Sequence, residues 1–134
     1  MEAFDKKTIR KPIKILVTGD RYWDDYETVL AVLSEFPPGT ILIHGACDGA
    51  DIICGEIAKA LGFIVRDYPA NWNEFGKRAG PIRNQQMINV EHTVDEPFNL
   101  CIAFHNNIKD SKGTFDMMKR SKKANIMTLL KSSC

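Results

Sequence analysis

Apolar residues along this chain fall in short unbroken blocks, separated by stretches whose apolar positions recur at helical spacing. Ile13 to Val17 is a β-branched block stopped by Thr18-Gly19, which predicts a strand. Asp24 or Asp25 is placed to cap a helix reaching about Phe36, with Val29, Leu30, Val32, Leu33 and Phe36 as its apolar positions. Pro37-Pro38-Gly39 then breaks it. Ile41 to Ile43 predicts a second strand. Asp48 can cap a helix through Leu61 that turns Ile52, Ile53, Ile57, Ala58 and Leu61 inward, and Gly62 is a natural stop. Phe63 to Val65 predicts a third strand. An irregular stretch follows from Asp67 to about Gly80. Pro81 suits the first turn of a helix over roughly Ile82 to Glu91. Leu100 to Phe104 predicts a strand, Thr114 to Lys123 a helix, and Ile126 to Leu129 a last strand.

The order is therefore β-α-β-α-β-loop-α-β-α-β. Continuous apolar strands, rather than alternating ones, mark a sheet covered on both faces. This implies an α/β fold: a five-stranded parallel sheet in a three-layer α/β/α sandwich. One domain is expected over residues 13–130, preceded by a basic arm over residues 1–12 that carries Lys6, Lys7, Arg10 and Lys11. The length of 134 residues suits one domain, and 44% hydrophobic residues exclude a disordered chain. The balance of 18 Lys+Arg against 17 Asp+Glu argues against a general nucleic-acid coat. No apolar run approaches the ~18 residues of a membrane span, and Met1 to Lys14 lacks the apolar segment of a secretory signal. With scattered cysteines, this points to the cytoplasm. Cys54 and Cys101 sit in apolar patterns and read as core, whereas Cys47 lies in a glycine-rich turn. No His/Cys/Asp set has metal-ligand spacing, so neither a metal nor another cofactor is expected.

In such a sheet ligands bind outside the carboxyl ends of the strands. The least ordinary residues fall there: Thr18, Gly19, Asp20 and Arg21 after the first strand, and His44 through Asp51 after the second. Pro69-Ala70-Asn71-Trp72 and Arg78 through Asn84 follow the third, and His105 through Thr114 follow the fourth. Gly45 and Gly49 flank a bend leading into a helix, whose free N–H groups suit a phosphate. Equally, the glycines only make a tight turn, and Asp48 and Asp51 would repel a phosphate beside them. Ser111, Lys112, Gly113 and Thr114 open the last helix and form a second candidate anion cradle, or a plain cap. Arg78 and Arg83 are candidates to clamp an oxyanion, or else to pair with Asp20, Asp51 or Glu74. Trp72 and Phe75 are either base-stacking groups or loop packing. His44 and His105 end strands at this edge, as acid–base groups or as structural hydrogen-bond partners. Lys119, Arg120, Lys122 and Lys123 read mainly as a solvated helical face.

Four motifs carry a family resemblance: Ile15-Leu16-Val17-Thr18-Gly19-Asp20-Arg21; His44 through Asp51; Pro69-Ala70-Asn71-Trp72 with Gly80-Pro81-Ile82-Arg83-Asn84; and Ser111-Lys112-Gly113-Thr114-x-Asp116-Met117. Together they resemble the YspA-like (DUF2493) members of the SLOG superfamily, in order from about residue 13 to 128. The resemblance implies a Rossmann-like fold with strand order 3-2-1-4-5, a pocket for nucleotides or nucleotide-derived small molecules, and a homodimer. Relatives include the LOG phosphoribohydrolases, nucleotide-sensing domains of bacterial immune systems and the DNA-processing protein DprA. The hydrolase signature P-G-G-x-G-T-x-x-E is altered here: the Gly-Gly pair is absent and Met117 stands in place of the glutamate.

Three functions follow as expectations. The first is a module binding a nucleotide or an ADP-ribose- or NAD-like molecule. Its ligand set would be Thr18, Gly19, Asp20, Arg21, His44, Gly45, Ala46, Cys47, Gly49, Ala50, Asp51, Arg78, Gly80, Pro81, Arg83, Asn84, Ser111, Lys112, Gly113 and Thr114. The second is a nucleotide N-glycosidase, with Asp51 or Asp116 as its carboxylate and Arg83 orienting the phosphate. The third, and least favoured, is nucleic-acid binding in the manner of DprA. A dimer would draw on Met87, Ile88 and Val90, which read more simply as a core helix.

Overall fold

The computed structural model describes residues 11–133, so residues 1–10 of the expected basic arm lie outside it. The chain runs β1 (Lys14–Gly19), α1 (Tyr26–Leu33), β2 (Ile41–His44), α2 (Ala50–Ala60), β3 (Ile64–Asp67), α3 (Trp72–Phe75), α4 (Ala79–Glu91), β4 (Leu100–Phe104), α5 (Gly113–Lys123) and β5 (Thr128–Lys131). The five strands form one parallel sheet in the order β3-β2-β1-β4-β5. The order reverses between β1 and β4, where Gly19 pairs in register with Phe104. Among the described residues no helix is long and apolar enough to cross a membrane.

The unbroken apolar strands follow from two cores, one on each face of the sheet. Ile15, Val17, Leu42, Ile102 and Phe104 pack with Val29 and Leu33 of α1 and with Ile53, Cys54 and Ala58 of α2. Their alternates Leu16, Ile41, Ile43 and Cys101 pack with Met87 and Ile88 of α4, Met117 of α5 and Ile126. Successive strand residues point to opposite faces, so each must be apolar where both faces are covered. The expectation of full cover fails at the two outer strands: Ile64 of β3 and Leu129 and Leu130 of β5 are exposed. Of the residues named for a dimer, Met87 and Ile88 belong to the core, whereas Val90 is exposed.

Several boundaries differ from the sequence reading. Helix α1 stops at Leu33, three residues early, and its turn closes through Ser34 N–H to Leu30 O and Phe36 N–H to Leu33 O. Asp25 is its cap, accepting from Thr28 N at 3.0 Å. The stretch read as irregular holds α3, capped by Asn71, whose Oδ1 accepts from Glu74 N at 3.1 Å. A 3-10 turn over Gly76–Arg78 follows. Pro81 sits in the first turn of α4, where an N–H is not needed. Strand β5 begins two residues late, because Asn125 takes φ 63° and Ile126 N–H still bonds to Ser121 O. That left-handed residue completes the end of α5 before the chain can extend.

At the start of β1 a buried ion cluster ties α4 to the sheet, and the apolar pattern hid it. Lys14 Nζ lies 2.8 Å from Glu91 Oε1, and both side chains are almost fully buried. Glu91 also accepts from Arg66 Nη1 at 2.8 Å and from the Tyr68 hydroxyl. Burial alone would raise the Glu91 pKa, but the hydrogen bonds from Lys14, Tyr68 and Arg66 hold it below the usual carboxylate value. Burial and the Glu91 hydrogen bond push the Tyr68 hydroxyl up to about 12. Removing one member of a buried pair typically costs about 3–5 kcal/mol, since the other charge stays buried. Glu91→Gln is therefore expected to destabilise the protein by about 3 kcal/mol in urea unfolding at neutral pH. A lowered carboxylate pKa contributes stability above its unfolded value and loses it as pH falls through the folded value. The gap between the variant and wild type should accordingly close in acid; a gap independent of pH would contradict the assignment.

Candidate functional site

The turn joining β2 to α2 is held from inside by two buried charged side chains. Asp51, in the first turn of α2, is 5% exposed. Its Oδ2 accepts from Gly45 N at 3.0 Å and from Cys47 N at 3.3 Å. Arg83 of α4 is 7% exposed. Its Nη1 donates to the Gly45 carbonyl and to the Tyr68 carbonyl, Nη2 to Cys47 Sγ at 3.4 Å, and Nε to Asn84 Oδ1 at 2.9 Å. The carboxylate thus takes the turn's N–H groups and the guanidinium takes its carbonyl. Among the described residues no carboxylate is a hydrogen-bond partner of Arg83, so the carboxylate pairing foreseen for it is not formed.

This clasp explains the local sequence. A Cβ on Gly45 would stand 2.5 Å from Arg83 Nη1, so only glycine lets the guanidinium lie on the backbone. Ala46 is forced to φ 58°, a left-handed value that costs a non-glycine residue roughly 1 kcal/mol or more. The Ala46 N–H donates to His44 Nδ1 at 2.9 Å. Burial lowers the His44 pKa, Asp67 opposes this, and Lys59 and Arg83 add to the lowering. The ring is therefore neutral at pH 7 and free to accept at Nδ1. His105 has the parallel arrangement after β4, accepting from Asn107 N at 2.9 Å. Both histidines make the structural hydrogen bond foreseen for them.

Asp48 does not cap α2 as expected. The cap residue is Gly49, at φ 76° and with no side-chain bond. A Cβ there would lie 2.4 Å from Asp20 O, so glycine lets the helix start press onto the β1–α1 loop. The Asp20 carbonyl accepts from Ala50 N at 3.0 Å and from Trp23 N at 3.1 Å, while Asp20 Oδ1 accepts from Tyr22 N. Gly19 is equally constrained, because a Cβ would meet Ala50 Cβ and Phe104 O at 2.5 Å. Three of the expected phosphate donors, the N–H groups of Gly45, Ala46 and Cys47, are thus turned inward. Among the described residues those of Gly49, Asp51 and Ile52 have no internal acceptor and remain at the positive end of α2.

The start of α5 is built differently. Ser111 Oγ accepts from Thr114 N at 3.0 Å and Phe115 N at 3.4 Å, which makes Ser111 the cap and buries Thr114. Lys112 and Gly113 are exposed, and a Cβ at Gly113 would meet nothing within 4 Å. Asp116 is occupied: its Oδ2 accepts from Asn84 Nδ2 at 2.9 Å and from Arg120 Nε at 2.8 Å. Arg120 also donates to Gln85 Oε1 at 2.9 Å, so this network locks α4 to α5. Arg21, Arg78 and Pro81 are exposed, and Gly80 is buried beneath Trp72, whose ring edge would lie 3.5 Å from a Cβ there. Cys54 and Cys101 are buried core thiols raised by burial, as their patterns implied. Cys47 is half-buried in the turn. Among the described residues no set of three His, Cys, Asp or Glu side chains could hold a metal ion.

Burial raises the Asp51 carboxyl from 3.8 to about 6, against the pull of Cys47 N–H, Arg83 and Gly45 N–H. A carboxyl raised by folding contributes stability below its unfolded pKa and loses it as pH rises through the folded value. Wild type is expected to lose on the order of 3 kcal/mol of this contribution across that window, from 3.8 to about 6. Asp51→Asn keeps the shape and removes that slope. Urea unfolding of both proteins across this pH range checks it, and parallel curves would contradict it.

Comparison with known proteins identifies the family. A family model described as the YspA, cpYpsA-related SLOG family matches residues 13–75, a segment that includes the clasped turn and stops before Arg83. Gene 61 protein of Mycobacterium phage D29 is 34% identical over 122 residues, which cover 84% of this chain and 91% of that protein. No solved structure matches. With the strand order, the turn after β2 and a relative that spans most of both chains, this protein belongs to the YspA, cpYpsA-related SLOG family.

Proposed function

We propose that the carboxyl edge of the sheet binds a nucleotide or a nucleotide-derived small molecule of the ADP-ribose or NAD type. The observation that carries this is the clasp: two buried charges, Asp51 and Arg83, hold one short turn at the rim of the sheet. Burying charge to fix a surface turn is costly, and a site prepared for a ligand is where such preorganisation is useful. The turn borders the crevice where strand order reverses, the general ligand position of open α/β sheets.

In this reading the phosphate meets Gly113 at the start of α5, and the unengaged N–H groups of Gly49, Asp51 and Ile52 at the start of α2 donate to acceptor atoms of the base or sugar. Arg78 and Lys112 supply exposed positive charge. Asp20 Oδ2, which has no internal partner among the described residues, accepts a sugar hydroxyl. Arg83, Asn84, Asp51 and His44 act as positioning residues behind the surface. This favours binding over cleavage of an N-glycosidic bond. Both carboxylates nominated for cleavage hold internal bonds, Asp51 to the turn and Asp116 to Asn84 and Arg120.

Purified protein is to be incubated with nucleoside mono-, di- and triphosphates, NAD and ADP-ribose, separated from free ligand and analysed by mass detection. Intact ligand should be retained, and the double variant Arg78→Ala, Lys112→Ala should weaken binding by about tenfold, or 1.4 kcal/mol. Release of free base above a no-protein control would make the protein an N-glycosidase instead. Neither retention nor turnover of any panel member would overturn the reading.

A further inference from the structure

Beside the start of α2, on the face of the sheet that carries α1, lies a shallow hollow of about 280 Å³. Its floor is Trp23, Gly49 and Ile53, and its walls are Tyr22, Tyr26 and Ile52. Trp23 and Ile53 are buried, whereas Tyr22 is 76% exposed, Tyr26 52% and Ile52 40%. We infer that this hollow is the base-binding subsite of the ligand, selective for a planar heterocycle that carries an amino group; the inference deepens the proposed function and rests on it.

The argument begins with rigidity. The Trp23 ring meets Phe104 edge-on at 5.6 Å, and its Nε1 donates to Asp25 O at 2.9 Å. Asp20 holds the Tyr22 and Trp23 N–H groups and, through its carbonyl, the start of α2. The floor is therefore fixed while two tyrosine rings stand in water above it. Such rings gain by stacking on a flat π-system, and stacking tolerates any base. The guanidinium of Arg21, which also lines the hollow, lies 5.1 Å over the Tyr22 ring and enlarges the flat surface.

Charge then sets the ligand's direction. Asp24 and Asp48 outnumber Arg21 among the charged groups lining the hollow, and among the described residues neither carboxylate has a partner. Two carboxylates repel a phosphate and accept hydrogen bonds from an exocyclic amino group. The phosphate end must therefore point away, toward α5 with Lys112 and Gly113. The volume lies just below the usual range of ligand pockets, about 300–1,000 Å³, and suits a single base rather than a whole nucleotide. A longer apolar ligand would leave most of its surface in water.

Calorimetric titration tests this with AMP, GMP and CMP, which carry the amino group, with IMP and UMP, which lack it, and with ribose 5-phosphate, which lacks the base. Tyr22 and Tyr26 are exposed, so Tyr22→Ala and Tyr26→Ala should fold normally, which circular dichroism verifies. The amino-bearing nucleotides should bind at least about tenfold tighter than IMP and UMP. Each alanine variant should weaken them by about tenfold and leave ribose 5-phosphate unchanged. Nucleotide binding that both variants leave intact would overturn the subsite and spare the proposed function. Equal affinity for AMP and IMP would overturn amino recognition by Asp24 and Asp48. Failure of wild type to bind any nucleotide would overturn the subsite together with the reading it rests on.

Discussion

The arrangement of this protein turns on one constraint: the backbone of Gly45 to Cys47 is gripped by the carboxylate of Asp51 on one side and the guanidinium of Arg83 on the other. Through it α2, α4 and the segment after β3 meet at one point, because Arg83 also donates to the Tyr68 carbonyl. The grip requires glycine at 45 and holds Ala46 in a left-handed conformation. It also decides what the turn can offer a ligand. Its inner N–H groups are consumed by a carboxylate, so the polar surface left over is the first turn of α2 and the exposed start of α5.

The opposite end of the sheet uses ionic contacts differently. Lys14, Glu91, Arg66 and Tyr68 form a compact cluster around one carboxylate, and the Lys14–Glu91 pair is almost wholly buried. That cluster anchors the end of α4 where no loop chemistry gathers. At the carboxyl edge the buried charges stabilise a turn that stays at the surface, between two helix starts and the open hollow at Tyr22. The molecule is thus fastened by charge at both ends of α4, and at the carboxyl edge the fastened turn stands beside exposed aromatics.

The sheet was legible because burial on both faces leaves an unambiguous signature in β1, β2 and β4. The outer strands were less so: β3 is half polar, and the start of β5 depends on how Asn125 ends α5. The gathering of Gly, Asp, Arg and His at the carboxyl edge was legible in the sequence, but the contacts they make were not. Asp48 and Asp51 are equivalent as sequence signals for a helix start, and only the fold turns Asp51 inward. Arg83 reads as a ligand clamp because an arginine carries no mark of whether its acceptor is an oxyanion or a carbonyl. The Lys14–Glu91 pair was invisible, since the two residues are 77 positions apart and Lys14 interrupts an apolar block. The assignment of Cys54 and Cys101 to the core was available from pattern alone.

The central claim is that the β2–α2 turn is held in a single conformation by internal charges in the free protein. Amide hydrogen exchange on the free wild-type protein tests it directly. Gly45 and Cys47 lie in a turn at the sheet's rim, where amides ordinarily exchange quickly. If Asp51 grips them, their amides should be protected to an extent comparable with the buried strand β2 that precedes them. Exchange at the rate of an open loop would show that the turn is not preformed, and the account built on it would fail.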